Sequence, residues 1–104
     1  MAEIVLVHGA GLGSWIWAGV LPHLAQAGHR ARAIDLPGRG GAPTTLAAQA
    51  AAVLAAAGPR AVLVGHSAGG FAIMEAAEAA PDRVAGLIYL CAFIPRAGAS
   101  IADL

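Results

Sequence analysis

Four short apolar runs punctuate this chain: Ile4 to Val7, Ala61 to Val64 and Leu87 to Leu90 without polar alternation, and Ala31 to Ile34 with one interruption at Arg32. A strand solvated on one face alternates apolar and polar side chains, whereas an unalternated run marks a strand buried on both faces. The stretches between the runs carry helical signals. Roughly Ser14 to Ala27 places Trp17, Leu21 and Leu24 at three- and four-residue spacing, with Pro22 expected to kink the helix and Gly28 to stop it. About Thr45 to Ala57 has a threonine cap, Leu46, Val53 and Leu54 for an inner face, and Gly58-Pro59 as terminator. A third helix begins at the turn after Val64 and runs to Ala80, before Pro81, with Phe71, Met74 and Ala77 expected to face the sheet. Such alternation predicts the α/β class, a parallel sheet with helices on both faces. Winding that reverses once makes the first and third strands central, in the order second, first, third, fourth.

At 104 residues the chain supports one domain, and 59% hydrophobic against 12% charged residues supplies a core. A formal net charge of zero leaves no basic field for nucleic acid or an anionic membrane surface. Cys91 is the only cysteine, which excludes an internal disulfide and a multi-cysteine metal site and fits a reducing, cytoplasmic setting. No basic n-region precedes Ile4, and no apolar stretch reaches the roughly 18 residues of a membrane span, so the chain reads as soluble and unexported. The mean hydropathy of +0.72 is high for a free-standing domain of this size. It predicts apolar surface that something else covers, and self-association through the edge at Leu87-Ile88-Tyr89-Leu90, which no charge protects.

The chemistry sits at the carboxyl ends of the strands, where open parallel sheets bind ligands. Gly65-His66-Ser67-Ala68-Gly69 directly follows the third apolar run, the strand-to-helix context of a nucleophile elbow. Ser67 is the candidate nucleophile; the plainer reading is an ordinary serine at a Gly-rich helix start. Glycine two residues to either side is expected to relieve crowding against the serine Cβ. After the first strand comes His8-Gly9-Ala10-Gly11-Leu12-Gly13-Ser14-Trp15, a loop able to bring one backbone amide to a developing oxyanion, while the amide of Ala68 supplies a second. Gly9-x-Gly11 with Asp35 partly imitates a dinucleotide fingerprint, but Ser14 stands where its third glycine or alanine belongs and two tryptophans follow.

No histidine reads as the general base. His66 adjoins Ser67 and points away from it, His8 is expected to stiffen its loop by hydrogen bonding, and His23 and His29 belong to the first helix and its C-terminal end. Asp35, followed by Leu36-Pro37-Gly38, reads as an aspartate serving its own turn.

Taken together, the His8-Gly9-Ala10 loop with Trp15 and Trp17, Asp35-Leu36-Pro37-Gly38-Arg39-Gly40, Gly65-His66-Ser67-Ala68-Gly69-Gly70 and Pro81-Asp82-Arg83-Val84 resemble the α/β-hydrolase superfamily. The ending Leu90-Cys91-Ala92-Phe93-Ile94-Pro95 looks most like its small esterase and hydroxynitrile-lyase branch. The resemblance implies a nucleophile at Ser67, oxyanion donors at Ala10 and Ala68, no cofactor or metal, and a small ester or similar acyl substrate. Lyase members often depart from His-Gly in the first loop, so His8-Gly9 favours hydrolysis over lyase chemistry. In this superfamily the acid and histidine of the triad follow later strands. They have no counterpart among these residues, and the resemblance implies that residues 1–104 are the N-terminal portion of one hydrolase domain, without its cap and C-terminal half. On that reading the isolated chain is a poor catalyst or a non-catalytic fragment.

Overall fold

A computed structural model describes residues 2–92. Its four strands, β1 (Glu3–Val7), β2 (Arg30–Ile34), β3 (Ala61–His66) and β4 (Val84–Leu90), form one parallel sheet in the order β2-β1-β3-β4. This is the order expected from the sequence. The strands run longer than their apolar cores, because Arg30 and Glu3 pair at one end and Gly65 and His66 continue β3 into the turn. The Phe93-Ile94-Pro95 part of the family-like ending lies outside the described residues.

Alternation along the strands assigns the two faces. Val5 and Val7 of β1 and Ala61 and Leu63 of β3 are buried against Ala50, Val53 and Ala57 of α2 (Leu46–Ala57) and against Ala72, Ile73 and Ala76 of α3 (Gly69–Ala79). Thr45 caps α2 as expected, its Oγ1 accepting from the Ala48 N–H at 3.0 Å. The inner stripe of α3 differs from expectation: Phe71 is buried, but Ala72, Ile73 and Ala76 face the sheet while Met74 and Ala77 lie half-buried. Starting the helix at Gly69 sets its rotation, and the small side chains of that stripe let α3 settle close to the strands.

Across the sheet, a 3-10 turn (Ser14–Trp17) and α1 (Leu21–Gln26) pack on β2 and β1. The single helix expected over 14–27 is thus two pieces. Pro22 lies in the first turn of α1, where its missing N–H costs nothing, so it begins a helix instead of kinking one. Leu6 and Trp17 are buried on this side. Beside β3 it is more open: Ile88 and Leu90 of β4, opposite in direction to the core-facing Leu87 and Tyr89, are about half exposed. No helix among the described residues is long and apolar enough to cross a membrane.

Candidate active site

Winding leaves β1 toward β2 and β3 toward β4, so the crevice of the sheet opens at the carboxyl ends of β1 and β3. The Gly9 to Ser14 loop and the turn at Ser67 meet there. Ser67 has φ +53°, a left-handed conformation costing a non-glycine residue about 1–2 kcal/mol. Its N–H donates to the Leu90 carbonyl at 3.3 Å and its own carbonyl accepts from the Gly70 N–H at 3.1 Å. Ala68 follows at the N-cap of α3, half-buried.

The flanking glycines are required by the close approach of other backbone. A Cβ on Gly65 would lie 2.9 Å from both the Gly69 carbonyl oxygen and Ile73 Cδ1. One on Gly69 would lie 2.7 Å from the His8 oxygen and 2.9 Å from the Val7 oxygen. These glycines therefore seat the first turn of α3 on β3 and on the end of β1, and the nearest atoms that a Cβ on either would meet are not those of Ser67. The glycine that faces Ser67 is Gly9, where an added Cβ would stand 3.0 Å from Ser67 Cβ and 3.1 Å from the His66 oxygen. The structure thus brings the residue before Ala10 into contact with the side chain of Ser67.

Polar contacts hold the loop. His8, 4% exposed, places Nδ1 2.8 Å from the Gly9 carbonyl oxygen and accepts the Leu36 N–H on Nε2 at 2.9 Å. Leu12 N–H also donates to the Gly9 carbonyl, at 3.2 Å, closing a turn in which Gly11 has φ +73°. Asp35 does not serve its own turn alone: Oδ1 accepts from the Ser14 N–H at 2.7 Å and Oδ2 from the Ser14 hydroxyl at 3.1 Å. The loop runs into the short 3-10 turn, not an α-helix, which removes the helix N-terminus that a pyrophosphate would need.

The remaining histidines separate. His66 projects to the face opposite α3, its ring meeting Trp17 edge-on with centroids 6.3 Å apart. Trp17 Nε1 and His66 Nδ1 are buried without hydrogen-bond partners among the described residues. His29 serves the end of α1 through its backbone, whose N–H donates to the Leu24 carbonyl at 3.0 Å, while its side chain turns elsewhere: Nδ1 accepts the Ala2 N–H at 3.0 Å and ties residue 2 to the start of β2. Sequence reasoning missed Arg83, whose guanidinium donates to the carbonyls of Leu54 and Gly58 and closes the C-terminus of α2. Burial pushes the Tyr89 phenol above its usual value of 10.0, with Met74 Sδ 3.9 Å from its hydroxyl.

The chain is 41% identical over 107 aligned residues to a protein of Oryza sativa subsp. indica named as a probable esterase, PIR7A, covering 92% of this chain and 41% of that one. It is 35% identical to polyneuridine aldehyde esterase of Rauvolfia serpentina, covering 89% of this chain and 39% of that protein. Among solved structures, an extracellular alpha/beta-hydrolase from a Paenibacillus species superposes with a TM-score of 0.87 at 26% identity, covering 99% of this chain and 46% of that one. The chain therefore spans less than half the length of these relatives. The model of the alpha/beta hydrolase family matches residues 4–104, and the chain belongs to that family.

Proposed function

We propose that residues 1–104 carry the nucleophile portion of a serine-dependent, carboxylesterase-like hydrolase acting on a small ester. The observation that supports this most is the left-handed Ser67 between Gly65 and Gly69, with Gly9 against its Cβ. Ser67 Oγ attacks the acyl carbon, and the N–H groups of Ala10 and Ala68 hold the tetrahedral oxyanion. Its collapse breaks the ester bond, the leaving oxygen departs as the alcohol, and water then releases the acid and restores the serine. The acid and histidine that would move these protons are not assigned to any residue of this chain, which agrees with its spanning less than half of its relatives. On this reading the protein is cytoplasmic, and as an isolated chain it self-associates along β4, which sedimentation velocity would show as a mean mass that rises with concentration.

Turnover of p-nitrophenyl acetate tests the proposal. An oxyanion hole and binding alone leave at most about 10³–10⁴-fold acceleration over water. The chain is expected to fall in or below that range, to lose the site-specific part in Ser67→Ala, and to gain orders of magnitude when the remaining half of a hydrolase domain is supplied. Robust turnover by these residues alone would contradict the absence of a base, and His8 and His66 would be the first to mutate.

A further inference from the structure

We infer that His8, as its Nδ1–H tautomer, is a positioning residue that aims the Ala10 N–H; the inference rests on the proposed role of Ala10. The tautomer follows from its partners. Leu36 offers a backbone N–H, which only donates, so Nε2 is the bare nitrogen and the ring proton sits on Nδ1, pointing at the Gly9 carbonyl 2.8 Å away. That carbonyl and the Ala10 N–H are the two ends of one planar trans peptide. Fixing the oxygen from two sides, by His8 Nδ1 and by the Leu12 N–H, fixes the direction of the amide hydrogen on the opposite side.

The same peptide begins at the Gly9 Cα, which lies against the Ser67 side chain, so a change in its tilt alters where the amide points relative to the serine. His8 does not set the tilt in isolation. Its Nε2 is anchored on Leu36 while the neighbouring Asp35 grips Ser14 at the far end of the loop, so two consecutive residues after β2 hold both ends of the segment that carries Ala10. The buried imidazole is thus a strut between the exit of β2 and the donor peptide.

Two variants separate the arms of the strut. In His8→Asn the amide nitrogen stands where Nδ1 stood and keeps a donor for Gly9, losing the Leu36 contact. In His8→Gln the amide oxygen reaches toward the Nε2 position and keeps the Leu36 contact, losing the donor to Gly9. The readouts are the rate of Ser67 acylation by p-nitrophenyl acetate from intact mass, the His8 tautomer from long-range ¹H–¹⁵N spectra, and the order of the Ala10 amide from ¹⁵N relaxation. The expected result is an Nδ1–H tautomer, acylation about 10- to 100-fold slower in His8→Gln, and recovery of most of that loss in His8→Asn, at comparable thermal stability of the two variants. Equal acylation rates in the two variants, or an Nε2–H tautomer, would overturn the inference. If the unmodified chain is not acylated at Ser67, it is the proposed function that fails. The tautomer and the Ala10 order then decide about His8, with order lost in His8→Gln and kept in His8→Asn supporting the strut and equal order in both refuting it.

Discussion

The two halves of the candidate site are built by opposite means. The Ser67 turn is held by close approach and backbone: Gly65 and Gly69 bring α3 to within a distance that a single Cβ would violate, and the Ser67 N–H donates to the Leu90 carbonyl. The Gly9 to Ser14 loop is held by polar side chains reaching across 21 and 28 residues, Asp35 to Ser14 and His8 to Leu36. A geometry made of missing atoms resists change strongly but tolerates no substitution, whereas one made of hydrogen bonds can be loosened one contact at a time.

The largest effect is expected where the packing is tightest. Gly69→Ala forces a methyl against two backbone oxygens of the β1 exit that no rotamer change can clear. It should cost about 3 kcal/mol, which for a domain of this size lowers the melting temperature by on the order of 10–20 °C. Gly86→Ala is the comparator, since a Cβ there meets nothing within 4 Å, and thermal melts of the two should differ by most of that amount. Similar melts would mean that close approach does not hold the turn.

The loop should respond differently. Asp35→Ala removes both acceptors for Ser14 at an exposed site, a loss comparable to that of a helix cap, about 1 kcal/mol. Its melting temperature should fall by only about 4–8 °C, while amide exchange in residues 9–14 accelerates and exchange at residues 67–70 does not change. Faster exchange at both segments would show that the two halves are one unit.

The smallest effect concerns strain. Ser67→Gly relieves a left-handed conformation worth about 1–2 kcal/mol but gives the unfolded chain about 0.5–1 kcal/mol of extra entropy, so the gain in stability should be at most about 1.5 kcal/mol. Ser67→Ala, which keeps the strain, should gain none. A Ser67→Gly variant less stable than Ser67→Ala by the full glycine entropy of about 0.5–1 kcal/mol would indicate that the turn stores no strain at Ser67.

This contrast also explains what was legible in the sequence. Glycine spacing is local, so Gly65 and Gly69 announced the turn, and four short apolar runs sufficed for the strand order. The physical role of those glycines was not legible, because the atoms they avoid are set by packing: Gly69 avoids the carbonyls of Val7 and His8 at the exit of β1, and Gly65 avoids the first turn of α3 at Gly69 and Ile73. The partners of Asp35, His29 and Arg83 were hidden for the same reason: each joins elements more than 20 residues apart, and a short polar side chain in a turn looks alike whether it serves its own backbone or a distant one. Pro22 misled because a proline in an apolar periodic stretch can interrupt a helix or begin one, and only the packing of Trp17 and the break over residues 18–20 decide which.

The claim that the two halves converge to make Ser67 a nucleophile is tested most directly by mapping where the folded chain reacts with a fluorophosphonate. Peptide mass spectrometry should find the adduct on Ser67, absent from Ser14, Tyr89 and Cys91, and lost when the chain is unfolded in urea before labelling. An unlabelled Ser67, or labelling of Ser14 and Tyr89 to the same extent in folded and unfolded protein, would contradict it.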